Sequence, residues 1–446
     1  MDPHHPQAQL KRLLGRLRVL GSTTPGRYRL WSGAVAAALV AMALVGTAAA
    51  TALQSATDGI RQNSGPVLVA TQQLVASLAE ADAAASAAFL SGRQEDPEQR
   101  RLYEEALARA NAQLEDVSSL VGDDDAAHRS LKNVSVQVTR YAGLVEAARA
   151  TNRAGVAGAE AYLVEALDLL GAVVAGEVSA LTRITQERFG RDEAGRDAGV
   201  LVAAAVALVA VGTLVAAQRA VTRMSRRLLN VPLVVATGAA VAAAAWLVVA
   251  NARSGDDLAQ AREFGYDSIA LTARIQSTGF RAKADQTVAL ITNDAARRAN
   301  ADRAAAELLA AAVTPADVEA ARQGRPLASA GLLADAAARA DSPRERAAVA
   351  AMLVRWQRYA ETVAEMRAAA DADARRAIAV GPGSSTFNGF NFSVESVLSD
   401  NRSQFLGGLQ DAGDRLRFLP VVALLLPLGA AAAALLGFQL RINEYR

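Results

Sequence analysis

Four stretches of this chain carry no charged residue over more than 20 positions: 30–53, 198–218, 228–252 and 418–440. Charge closes each one, at Arg29 and Asp58, Asp197 and Arg219, Arg227 and Arg253, and Arg417 and Arg441. Apolar helices of that length match the hydrocarbon core of a bilayer, so the pattern predicts four transmembrane helices. The first is expected to be retained. Thr47-Ala48-Ala49-Ala50 resembles a cleavage site, but the apolar run is too long for a signal peptide and a long tail precedes it.

Between the spans the pattern changes to alternating spacings of three and four, the seam of a helical bundle. Residues 54–197 show four such seams. They are Val67-Thr71-Leu74-Leu78-Ala81-Ala85, Tyr103-Leu107-Ala110-Leu114-Val117, Leu131-Val134-Val138-Tyr141-Val145 and Leu163-Leu167-Leu170-Val174. Breaks are expected at 91–97, 122–125 and 152–155, with Asp96 as an N-cap ahead of Pro97. Residues 253–417 repeat the plan less regularly, with a broken stretch marked by Pro315, Gly324, Pro326 and Pro343. The expected fold is all-α: four spans and two up-and-down four-helix bundles outside the cytoplasm. Bundle and span helices run into one another, as rods of roughly 75 Å for about 50 residues.

Charge orients the chain. The tail 1–29 carries Lys11, Arg12, Arg16, Arg18, Arg27 and Arg29; the loop 219–227 carries Arg219, Arg223, Arg226 and Arg227; the tail 441–446 carries Arg441 and Arg446. All three segments lie on one side, and the excess of short-loop Arg and Lys places that side in the cytoplasm. Both termini are therefore expected inside, in a cytoplasmic membrane. The inner segments sum to about +10 against a whole-chain charge of +2, so the outer portion is acidic.

The inner segments total only about 45 residues, too few for a catalytic domain. With no cysteine, disulfides, thiol catalysis and Cys-based metal sites are excluded, and three scattered histidines make no metal motif. No phosphate loop or nucleophile elbow is present. The chain is expected to be no enzyme, to need no cofactor or metal, and to bind no nucleic acid. The absence of charge inside the spans argues against an ion or proton pathway.

Three groups of residues stand out as candidates. Phe387, Asn388, Phe390, Asn391 and Phe392 fall in a Gly- and Ser-rich segment, 381–392, expected to be a loop far from the membrane. Clustered aromatics on such a loop suit protein docking, or alternatively packing at the open end of a bundle. Arg219, Arg223, Arg226 and Arg227 form an inner face suited to a cytoplasmic protein or to anionic lipid. Glu177 and Asn401 occupy seam positions, where polar residues set register or line a small-molecule pocket. The acidic run 123–125 reads as a solvated turn.

The four spans, the Arg219–Arg227 turn, the short tails and the segment Phe387-Asn-Gly-Phe-Asn-Phe392 resemble the layout of the GlnX membrane proteins of actinobacteria. The resemblance covers the whole chain and assigns no individual residue a role. It implies a transducer that receives an amino-acid signal from a solute-binding lipoprotein, GlnH, and passes it to the soluble serine/threonine protein kinase G, which adjusts nitrogen metabolism. Besides the lipid bilayer, the expected partners are thus a solute-binding lipoprotein outside and a cytoplasmic kinase inside; a homodimer is compatible with this layout. Two other readings stand beside it: a direct chemoreceptor with a pocket between bundle helices, and a structural envelope scaffold.

Overall fold

A computed structural model describes residues 24–92, 96–225, 230–260 and 266–443. Among the described residues the regular structure is entirely helical. Four helices are long and apolar enough to cross a membrane, within Gly26–Leu90, Val200–Arg223, Val231–Asp257 and Ala372–Leu440. These match the four predicted spans and make the chain an all-α membrane protein. The chain divides into two compact units, one of residues 1–59, 191–257 and 410–446, the other of 60–190 and 258–409.

In chain order the helices are α1 Thr24–Gly59, α2 Gly65–Leu90, α3 Pro97–Leu120, α4 Asp125–Ala154, α5 Ala159–Val173, α6 Ser179–Ser225 and α7 Val231–Gln260. Then come α8 Asp267–Thr292, α9 Ala295–Leu308, α10 Pro315–Arg322, α11 Leu332–Arg339 and α12 Pro343–Ala368. Last are α13 Ala372–Ile378, α14 Ser384–Leu416 and α15 Leu419–Asn443. Single π-helical turns join α1 to α2 (Ile60–Ser64), α5 to α6 (Val174–Val178) and α13 to α14 (Ala379–Gly383). The helical chain is therefore unbroken from Gly26 to Leu90, and α6 runs for 47 residues.

The spanning unit has a core of small and aliphatic side chains, with Leu39, Leu214, Leu233, Ala240 and Phe438 fully buried or nearly so. Small residues let helices approach: a Cβ on Gly437 would lie 2.9 Å from Pro232 Cβ. Gln218 Nε2 ties α6 to α7 by donating to Leu233 O at 3.0 Å and to Thr237 Oγ1 at 2.8 Å. The opposite faces stay apolar, with Leu201 71%, Leu208 73% and Leu440 63% exposed. In water such surfaces would aggregate; in a bilayer they meet lipid.

In the bundle unit, α2 to α5 form the predicted first bundle. Asp96 caps α3 by accepting from Glu98 N at 2.9 Å, and Gly155 ends α4 in the left-handed region at φ 68°. Asp124 is more than part of a solvated turn: it caps α4 by accepting from Ala126 N and Ala127 N. The second bundle does not stand apart. It packs on the first through α2 and α8, and Ala83, Leu163 and Leu167 share one core with Ile275, Phe280 and Phe390. The cause is in α2, where 18 of 26 residues are buried. A helix apolar on every side has to be covered on every side.

One expectation fails. Residues 381–392 are not a loop but the π turn and first turns of α14; the break lies earlier, at 369–371. Asp371 caps α13 by accepting from Ala374 N at 2.7 Å, so the helix starts there. The π turn then absorbs Pro382, which cannot donate an N–H. Gly383 leaves room for the Ile378 carbonyl, which a Cβ would meet at 3.0 Å.

Candidate functional site

Helical geometry splits the Phe387–Phe392 group. Phe387 and Phe390 are each 1% exposed, whereas Phe392 is 65% exposed. Phe387 packs against Phe280 and Tyr359 at ring separations of 5.2 and 5.1 Å, and Phe390 against Trp356 at 5.1 Å. Asn391 Oδ1 accepts from Gln276 Nε2 at 2.9 Å, and its Nδ2 donates to Glu395 at 2.9 Å. Only Asn388 and Phe392 face outward from this group. Phe392 lies under the Arg355 guanidinium, 5.5 Å from ring centroid to Cζ, and lines a shallow hollow of about 370 Å³ with Arg358 and Thr386. Of the two readings of the aromatic segment, packing holds for Phe387 and Phe390.

Behind the rings sits Lys283, 8% exposed, its Nζ 4.7 Å from the Phe387 ring centroid. Burial pulls this ammonium down to about 8, partly offset by the charge of Glu80. Asn401 is 1% exposed; its Nδ2 donates to Thr272 Oγ1 at 3.5 Å, and its Oδ1 has no partner. Glu177 lies in the π turn ahead of α6, half-buried, and accepts from Asn133 Nδ2 at 3.1 Å. Neither lines the charged cleft between α2, α5, α8 and α9. Arg219 and Arg223 are exposed near the end of α6, while Arg226 and Arg227 lie outside the described residues.

This charged cleft was not anticipated. It is an open cleft of about 730 Å³ between α2 and α5 on one side and α8 and α9 on the other. At one end Arg297 holds two carboxylates, Asp168 at 2.6 Å and Asp285 at 3.1 Å. Beside them is Asp82, whose Oδ1 is shut off from solvent and has no hydrogen-bond partner. Burial, then the negative charge of Asp285, pushes the Asp82 carboxyl up to about 7 against the pull of Arg297 and Arg281. Farther along stand Arg281 and Arg303, both exposed to the cleft. Neither makes an ion pair among the described residues, although Arg303 donates to Asn300 Oδ1.

Seam reasoning passed over these residues because charges off the seam usually mean a solvated face. A sharper signal was present: α2 carries only Glu80 and Asp82 as charges in 26 residues. A lone carboxylate in an alanine run has no solvated face to belong to.

Residues 56–194 match a family model described as an actinobacterial sensor domain. The match spans α2 to α5 together with the ends of α1 and α6 that flank them. It includes Asp82 and Asp168 of the cleft and points to a sensing or signalling role. No curated protein matches the chain.

Proposed function

We propose that this chain is a non-enzymatic transmembrane signal transducer of the cytoplasmic membrane. Both termini and the arginine-bearing turn lie inside and the bundle unit lies outside. It relays an extracytoplasmic amino-acid signal, delivered by a solute-binding lipoprotein, to a soluble serine/threonine kinase. The observation that carries the reading is continuity. The region matching a sensor domain is joined to apolar spans by helix at both ends, through Gly26–Leu90 and through α6. Packed helices of this kind transmit shifts of about 1–2 Å without unfolding. On the outside, Phe392, Asn388 and Arg358 supply exposed aromatic, polar and cationic groups of the kind docking surfaces favour, with the half-buried Arg355 against Phe392.

Two experiments test this. Copurification from membranes should recover a solute-binding lipoprotein with the wild-type chain and less of it with Phe392→Ala; equal recovery would remove Phe392 from the interface. Inserting two or three glycines between Arg196 and Ala198 should abolish the cytoplasmic response while leaving the protein folded and inserted. An unchanged response would sink the helical relay. A second reading, direct reception of a small molecule, is favoured by the charged cleft.

A further inference from the structure

The cleft carries carboxylates at one end and arginines without an ion pair at the other. At the acidic end Arg297 pairs with Asp168 and Asp285, while Asp82 makes no ion pair among the described residues and feels Arg297 and Arg281 only through their charge. Asp82 Oδ1 is sealed from solvent and forms no hydrogen bond, with the buried Tyr141 hydroxyl as its neighbour. At the other end Arg281 and Arg303 form no ion pair among the described residues, and the nearby Glu307 is taken by Arg274 at 2.6 Å. Arg281 and Asp285 are four residues apart on α8, so the two ends lie about 6 Å from each other along the helix.

We propose that the cleft binds a small zwitterion, a molecule bearing a carboxylate and a protonated amine a few bonds apart. The amine sits at Asp82 beside Asp285, and the carboxylate at Arg281 and Arg303. A dianion would satisfy the arginines but press its second charge onto the carboxylates, and a diamine would do the reverse. Only a ligand of mixed charge completes both ends. Ligand held there joins α2 and α5 to α8 and α9. Of these, α2 leads back through one π turn to α1, and α5 leads through another to α6. The inference rests on the sensing reading, in its direct form, and needs no protein partner.

Calorimetric titration of the full-length protein in nanodiscs, at neutral pH, tests it with γ-aminobutyrate, L-glutamate, succinate and 1,4-diaminobutane. At least one of the two zwitterions should bind saturably, about tenfold or more tighter than succinate or the diamine. Arg281→Met and Arg303→Met should each weaken that binding by about tenfold, the loss typical of one charge-assisted contact. Both side chains are exposed, so these variants fold. Asp82→Asn should also weaken it, yet raise Tm in the absence of ligand, because it removes a carboxyl whose charged form burial disfavours more than the arginines favour it. A merely structural aspartate would not lose binding while gaining stability. No saturable heat from either zwitterion, succinate binding as tightly, or arginine variants that bind like wild type would each overturn the proposal. A chain that binds no zwitterion but still loses signalling on glycine insertion keeps the relay and loses only this site.

Discussion

Phe387 and Phe392 are the same residue type five positions apart, and helical geometry gives them opposite environments. Phe387→Ala should cost ~3–5 kcal/mol, the usual price of emptying an aromatic core site, seen as a fall in Tm. Phe392→Ala should change stability by less than about 0.5 kcal/mol. Equal effects would mean that the helix register is wrong. Lys283 makes a pH prediction with a definite sign. Its folded value of about 8 lies below the ordinary 10.5. Between those values the unfolded chain holds a proton that the folded side chain has released, so raising the pH favours the fold. Lys283 should therefore contribute a rise in Tm from about pH 8 towards about pH 10, and Lys283→Met should remove it. A wild-type rise that persists unchanged in the variant would assign it to other groups.

Elements were legible where one rule acted alone. The breaks between α2 and α3 and between α3 and α4 fall where Gly, Asp and Pro cluster, because those residues supply a cap or a turn; the third lies at Gly155–Gly158, later than the expected 152–155. The segment after Ile378 misled because Gly, Pro, Ser and Asn also cluster there, yet a π turn carries the helix through. Local composition does not reveal that outcome; the packing of α14 against α8 does. Gly279 of α8 lies against α14, and a Cβ there would lie 3.0 Å from Phe390 Cε1. Gly279→Leu should overpack that contact and cost ~1–3 kcal/mol, measured by thermal unfolding of the detergent-solubilised protein. A neutral result would mean that the two helices can separate without loss.

At the scale of the whole molecule, topology is directly testable because the chain has no cysteine. Ser384 is buried, but Ser385 next to it is exposed, as is Arg223. Ser385→Cys should react with an impermeant maleimide on intact cells, and Arg223→Cys only after permeabilisation. The reverse pattern would invert the proposed orientation. The amino-acid sequence by itself determined the spans, the bundle helices of the first half and the sidedness expected for them. Those depend on runs of hydrophobicity, a three-four period and charge counts, all of which are properties of neighbours along the chain. Only the tertiary structure decided that the two bundles share one core, that Phe387 and Phe390 face inward, and that Asp82, Asp168, Arg281 and Arg297 line one cleft. Arg297 is 129 positions from Asp168 in the chain, and no periodicity within a single helix encodes that meeting. It follows from α2, which is apolar on every side and so draws both halves of the molecule around itself.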